Sequence, residues 1–426
     1  YVEPEMIPFA LNTPFTFIKS ASGTHLSKVD FMSEEEADRR ISTLRQSRSN
    51  ALPFRPNVVV IILESFSSEF TAAGPGPSYT PFLDSLMKEG TGFPEAFANG
   101  RKSIEGLPSI LAGIPALSDQ PFISSVYAGN RIDALPALLA SEGYHTSFFH
   151  GVDKGTMGFD DFCGLAGIKH YYGRESYEDI HGEEGYDGTW GIFDHRYFAY
   201  FSSEISHFPE PFFTTLFSVS SHHPYRVPDD YQDRVIAGDH PLQTVISYTD
   251  IALRELFKRL EKEDFYRRTL FVITADHTGT PVSEQAHTPK GAFTVPILYF
   301  MPGQTLPTNF ASITQHIDVF PSILDLTVSR KNYFCFGTSV FSADHRNGAI
   351  SYTQGVYQWI TKEQVIQHTL ESMTQKGQEQ NAVRDENLLD LEAFIQQYNN
   401  HLINNTMTYR KNSNSIQQQH TGGAVR

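Results

Sequence analysis

Six consecutive aliphatic residues, Val58 to Leu63, are entered through Pro56 and Asn57 and followed by Glu64. An unbroken apolar run of this length reads as a strand buried on both faces, as strands are inside a parallel sheet. Shorter runs repeat the theme at Ser147 to His150, Phe212 to Val219, Leu270 to Thr274 and Val295 to Met301. Helical patterns separate them, over about residues 80–89, 133–142, 241–262 and 317–326. Strands alternating with helices predict an α/β protein whose mainly parallel central sheet is sandwiched by helices. In such sheets ligands bind beyond the carboxyl ends of the strands.

The two ends of the chain depart from that pattern. Residues 1–50 read as an extended lead and one exposed helix over about 33–46, through SEEEADRRISTLRQSRSN. Residues 51–330 hold the alternating elements. Residues 331–426 read as a smaller C-terminal part with a helix from Asn387 to Asn399 and a tail rich in Gln and Asn. The last dozen residues are expected to lack structure, and no chemistry is expected in that tail.

Composition narrows the function classes. With 426 residues, 40% of them hydrophobic, the chain can bury a large core. Lys and Arg number 33 against 49 Asp and Glu, a net charge of −16 that argues against a nucleic-acid partner. An anionic substrate would therefore need local cations or a metal. Cys163 and Cys335 could pair or stand as two buried small hydrophobes, and we expect the latter. No run of 18 apolar residues and no signal peptide is present. The chain begins at Tyr1 rather than Met, which reads as a processed or trimmed product whose anchor would lie upstream.

Residues 99–107, NGRKSIEGL, pose the chemical question. Asn99 and Gly100 can supply a tight turn, placing Ser103 near the start of a helix that continues through Leu107, Ile110 and Leu111. Such a serine is either an N-cap or a nucleophile held where free N–H groups favour an anion. The stretch alone leaves both open. Three apolar strands end in acids or histidines: Glu64, then His222 and His223, then Asp276 and His277. Singly, each reads as a solvent-facing or capping residue. Gathered on one sheet edge, they form a donor set suited to Mn2+, Zn2+ or Mg2+. A metal held by Glu64, Asp276 and His277 would leave a position for the Ser103 hydroxyl and lower its pKa for in-line attack on phosphorus or sulfur.

NVVVIILES, NGRKS, SSHHPY, TADHTG and HIDVFPSILDL resemble, in order and spacing, the alkaline phosphatase/sulfatase superfamily. The likeness covers about residues 55–330 and is greatest to the lipoteichoic acid synthase branch of membrane-anchored phosphoglycerol transferases. That resemblance implies an α/β sandwich, one divalent cation, often manganese in that branch, and a covalent phosphoryl intermediate on a hydroxyl residue. Carried over by position, the metal ligands are Glu64, Ser103, Asp276 and His277, with Ser103 also the nucleophile. His222 matches the substrate-contacting histidine, leaving His223 structural. His287 stands where related phosphoethanolamine transferases place another site histidine. The implied substrate is a phospholipid headgroup or other phosphoester at the outer face of a membrane.

This chain departs from the branch twice. Ser103 stands where the branch usually carries Thr, a chemically equivalent alcohol. Met157 and Phe159 stand where the family places a Trp and an Arg on the glycerophosphate, and Lys154 or Arg101 would have to replace that cation. Sulfate ester hydrolysis ranks below phosphoester transfer. The formylglycine signal C/S-x-P-x-R is broken by Glu105 and Leu107, two and four residues after Ser103. A catalytically silent binding ectodomain would show loss of the nucleophile or of a ligand, and all four residues are present.

Overall fold

The computed structural model describes residues 25–48, 52–307, 309–371 and 385–409. The Gln- and Asn-rich stretch 374–384 and the last dozen residues lie outside these. Seven strands form the central sheet: β1 (Asn57–Leu63), β2 (Thr91–Phe93), β3 (His145–His150), β4 (His170–Tyr172), β5 (Phe212–Phe217), β6 (Thr269–Ala275) and β7 (Ile297–Phe300). Their spatial order is β2-β7-β6-β1-β5-β3-β4. At the centre, β1 pairs in parallel with both β5 and β6.

Burial on both faces of β1 follows from the unbroken apolar run Val58–Leu63. Val59, Ile61 and Leu63 pack on one side, with Leu83 of helix α2 (Pro81–Glu89), Phe198 of α5 (Asp194–Ile205) and Leu256 of α6 (Pro241–Leu260). Val58, Val60 and Ile62 pack on the other, with Leu107 of α3 (Ser103–Ala112), Ile323 of α7 (Val319–Thr327) and Phe394 of α8 (Glu386–Asn404). Side chains alternate across a strand, so one apolar run feeds two helical layers. Helix α4 (Leu135–Ser141) leads into β3. A three-stranded antiparallel sheet, β8 (Ala349–Thr353), β9 (Val356–Ile360) and β10 (Val365–His368), lies in the C-terminal part.

Two elements differ from the sequence reading. The apolar run at Val295 to Met301 contracts to β7, which lies antiparallel to β6. Between them stand only the short turns Gln285–His287 and Gly291–Phe293, not the crossover helix that a parallel return normally uses. The helix expected over 33–46 is α1 (Glu34–Arg40), capped by Ser33, whose hydroxyl accepts the Glu36 N–H at 3.2 Å. Leu44–Gln46 then pairs antiparallel with Asn332–Phe334, so a partner from far along the chain ends the helix early. Cys163 and Cys335 are both buried and free. Among the described residues no helix is long and apolar enough to cross a membrane.

Candidate active site and metal centre

Leu63 and Ala275 are register partners in the parallel β1–β6 pair, so the residues that follow them, Glu64 and Asp276, emerge side by side at the carboxyl edge. Ser65 turns the chain with φ 57°, the left-handed region. Its N–H and that of His277 donate to Asp276 Oδ1 at 2.8 and 2.7 Å. Among the described residues Oδ2 of the same carboxylate has no hydrogen-bond partner although it is buried. His277 Nε2 lies 3.2 Å from that oxygen and 3.7 Å from Glu64 Oε1. Because Nδ1 of this histidine faces the Thr278 carbonyl at 2.8 Å, the proton is assigned to Nδ1, and the Nε2 lone pair points at the carboxylates.

Three ligand atoms, one each from Glu64, Asp276 and His277, thus lie within 4.8 Å of one another. Burial, and then the Glu64 charge, push Asp276 up to about 7. Burial lowers the pKa of His277, but the Asp276 and Glu64 carboxylates outweigh it and the net shift is upward. Electron pairs facing one another, with one carboxylate oxygen orphaned, are the arrangement a divalent cation relieves. The donor set fits such an ion.

Ser103 reaches the same point from the opposite side. Lys102 occupies the N-cap of α3 without a side-chain bond, and Ser103 is the first helical residue. Its hydroxyl is turned away from the helix: Oγ donates to Glu64 Oε2 at 3.2 Å and lies 3.4 Å from His277 Nε2. The capping alternative therefore does not describe this serine. Gly106 explains how the helix comes so close, since a Cβ there would stand 2.4 Å from the Asp276 carbonyl oxygen. Asn99 makes no simple turn but is a buried hub. Its amide donates to Gln315 Oε1 and to the Ile350 carbonyl, both at 2.7 Å, and its Oδ1 accepts the Ile317 N–H at 3.0 Å.

His222 is carried by the loop after β5, which is stapled to β1. Ser218 Oγ accepts the Glu64 N–H at 2.8 Å, and Ser221 Oγ donates to the Glu64 carbonyl at 2.5 Å. Asp194, at the start of α5, accepts the N–H groups of Val219 (2.8 Å) and Ser220 (3.3 Å). Trp190 covers the far side of His222, with ring centres 4.2 Å apart, and donates its indole N–H to the His223 carbonyl at 2.9 Å.

Two openings meet here. A small cavity of about 50 Å³ is lined by Glu64, Ser103, His150, Met157, Trp190 and His222 among others. An open cleft of about 400 Å³ includes Glu64, Arg101, His222, His223, Tyr225 and His277. Arg101 is exposed, its guanidinium 5.6 Å from the Phe293 ring. Lys154 and His287 are exposed and line neither opening. The turn Gln285–His287 buries Ala286 and leaves His287 outward, while Lys154 is held through its backbone N–H by the Glu175 carboxylate. Phe159 is fully buried, packed on Phe148 and His150. Only Met157 of that pair reaches the cavity.

Two lining residues escaped the sequence reading. His150 ends β3 on the same edge as Glu64, is pushed down to about 3 by burial, and has no hydrogen-bond partner at Nδ1 among the described residues. Its strand-end position was the signal available. Trp190 sits in an irregular loop, where periodicity says nothing.

A mainly parallel sheet with acids and a histidine at its carboxyl edge, and a serine opposite, defines the class: an alkaline phosphatase-like α/β protein. The Sulfatase family model matches residues 56–329, and the chain belongs to that family. Lipoteichoic acid synthase-like YvgJ of Bacillus subtilis (strain 168) is 24% identical over 336 residues, 71% of this chain and 53% of that protein. The chain spans about half the length of the curated relatives it matches. Among solved structures, a protein of the alkaline phosphatase superfamily from Vibrio parahaemolyticus superposes with TM-score 0.72 at 21% identity, covering 93% of this chain and 97% of the other. The lipoteichoic acid synthase LtaP from Listeria monocytogenes gives TM-score 0.66 at 18% identity, covering 89% of this chain and 100% of the other. The superfamily and fold read from the motifs are thereby borne out.

Proposed function

We propose that this chain transfers or hydrolyses phosphoesters through a covalent phosphoserine at Ser103. The reaction depends on one divalent cation, Mn2+ before Zn2+ or Mg2+. The observation that carries this reading is the placement of Ser103 Oγ between Glu64 Oε2 and His277 Nε2 at 3.2 and 3.4 Å. A divalent cation held by Glu64, Asp276, His277 and Ser103 would supply charge neutralisation at the transferred group and a lowered hydroxyl pKa. Ser103 forms a bond to phosphorus as the bond to the leaving oxygen breaks. Its proton points at Glu64 Oε2, and the N–H groups at the start of α3 favour the anion. His222 gives a proton to the leaving oxygen, then takes one from the acceptor alcohol or water that displaces Ser103. The Ser103 proton passes to Glu64 Oε2 in the first half and returns to the freed serine oxygen in the second. Trp190 holds the His222 ring and walls the cavity on its apolar side.

The relatives' names, lipoteichoic acid synthase and lipoteichoic acid synthase-like, support transfer over hydrolysis, and we take the transfer to be of phosphoglycerol type, from a phospholipid donor at the outer face of a membrane. Arg101 lines the open cleft, which supports it as the cation that meets the donor's phosphate. Sulfate ester hydrolysis is disfavoured because Glu105 and Leu107 break the formylglycine signal and leave Ser103 an ordinary alcohol.

Intact-protein mass spectrometry after incubation with phosphatidylglycerol and a divalent metal tests the proposal. A mass added to Ser103 is expected in the wild type and none in Ser103→Ala, with turnover falling by about 10⁴-fold or more. Full activity in Ser103→Ala would replace the serine by an attacking water.

A further inference from the structure

Away from the Ser103 site, the 39–48 segment and the 333–346 segment enclose a cleft of about 520 Å³ that shares no lining residue with either opening described above. It carries five arginines and no lysine, in a chain whose net charge is −16. Three of the five are neutralised: Arg39 by Glu36, Arg40 by Glu36, Glu386 and Asp390, and Arg48 by Asp344. Arg45 and Arg346 form no ion pair with a carboxylate among the described residues.

Both are held in place by neutral partners instead. Arg45 donates Nε to the Cys335 carbonyl at 3.2 Å and a terminal nitrogen to the Ser42 carbonyl at 2.6 Å. Arg346 donates to the Phe336 carbonyl at 3.2 Å and lies 5.7 Å over the Phe394 ring. Backbone carbonyls orient a guanidinium but leave its charge whole, and each group keeps N–H donors beyond those bonds. The two charges feel one another. Burial first, and then Arg45, push Arg346 down to about 10, against the longer-range pull of Asp318 and Asp390. Two like charges held together in a concave site, with the hydroxyls of Ser339 and Ser342 in the same wall, make a complement to a tetrahedral oxyanion. Asp344 is paired with Arg48, and Asp325 in the same wall offsets part of the remaining positive charge, so the surplus suits one anionic group rather than a polyanion.

We propose that this cleft is a second anion site that binds one phosphate group through Arg45 and Arg346. The phosphate is that of a free phosphoester or that of a lipid headgroup.

Calorimetric titration of the full chain with inorganic phosphate and with glycerol 1-phosphate, and flotation with phosphatidylglycerol vesicles, test it. Each titration is run on wild type and on Arg45→Gln, a substitution at a half-buried position that leaves Arg346 in place. Two bound phosphates per chain are expected in the wild type. In Arg45→Gln one should weaken at least tenfold while turnover at Ser103 stays unchanged. Binding of the free probes identifies a soluble phosphoester site. Binding of vesicles alone, lost in Arg45→Gln, identifies a headgroup site. A single phosphate in the wild type together with no Arg45-dependent vesicle binding, or undiminished binding of every probe in Arg45→Gln, overturns the proposal. Where Arg346→Lys still folds, as judged by an unchanged melting midpoint, it should weaken the same phosphate, because a point charge cannot reproduce the planar fork.

Discussion

The sheet edge at Glu64 and the arginine cleft at Arg45 are mirror images in charge. At the edge, two carboxylates and an imidazole lone pair are pressed together, and one oxygen of Asp276 has no hydrogen-bond partner among the described residues. In the cleft, two guanidinium groups share a wall and form no ion pair with a carboxylate among the described residues, although Asp325 lines the same wall. Each region concentrates one sign and satisfies its groups with backbone rather than counter-charge: Ser65 and His277 N–H groups on Asp276, Ser42 and Cys335 carbonyls on Arg45. The lesson is that a net charge of −16 predicts neither. Local surplus, kept unneutralised by geometry, decides what each region takes up.

The largest effect expected from breaking this pair is at the edge. Asp276→Ala should abolish both metal content, measured by elemental analysis, and turnover, because it removes one of three converging ligands. Phosphate binding at the cleft should survive. Loss of both together would show that the two regions are one system.

A smaller effect separates charge from position. Gly106→Ala keeps every ligand of the edge but puts a methyl 2.4 Å from the Asp276 carbonyl oxygen, so α3 must move. Metal content should persist while turnover drops by about 10²-fold, as misplacement of a reacting group by about 1 Å does. Equal activity would mean that the helix tolerates the shift and that Ser103 is not held to its position by this contact.

The smallest effect reads the sign of the edge directly. Asp276 rises from 3.8 to about 7 on folding, so between those values the folded chain holds a proton that the unfolded chain has lost. With a chelator present, stability should therefore fall as pH rises from about 4 to about 7, and the upward shift of His277 extends the fall in the same direction. A divalent cation should flatten the trend by taking the proton's place. Melting midpoints against pH, with chelator and with Mn2+, measure it. A flat profile in chelator would mean that burial and the Glu64 charge do not raise the Asp276 carboxyl.

How legible these regions were follows from how they are assembled. Glu64 and Asp276 end strands whose apolar runs announce them, and parallel pairing of β1 with β6 brings any two such ends together. His150 ends β3 by the same logic but looked like an ordinary strand terminus. Trp190 and the Arg45–Arg346 pair have no local signal, because loops and distant segments meet only through tertiary packing. The same cause hid the end of α1, where pairing of Leu44–Gln46 with Asn332–Phe334 overrides a pattern that reads on as helix. The reversal of β7 was unreadable for another reason: an apolar run has no direction.

The Sulfatase match ends at residue 329, yet the buried amide of Asn99, four residues before Ser103, donates to the carbonyl of Ile350. That single bond crosses what looks like a module border. A chimaera that grafted residues 56–329 onto another protein's C-terminal part would inherit every motif and the Asn99 bonds to Gln315 and Ile317, but lose the bond to Ile350 that completes the anchor of the segment presenting the serine. Interchangeability here is set by where Asn99 is anchored, not by where the family likeness stops.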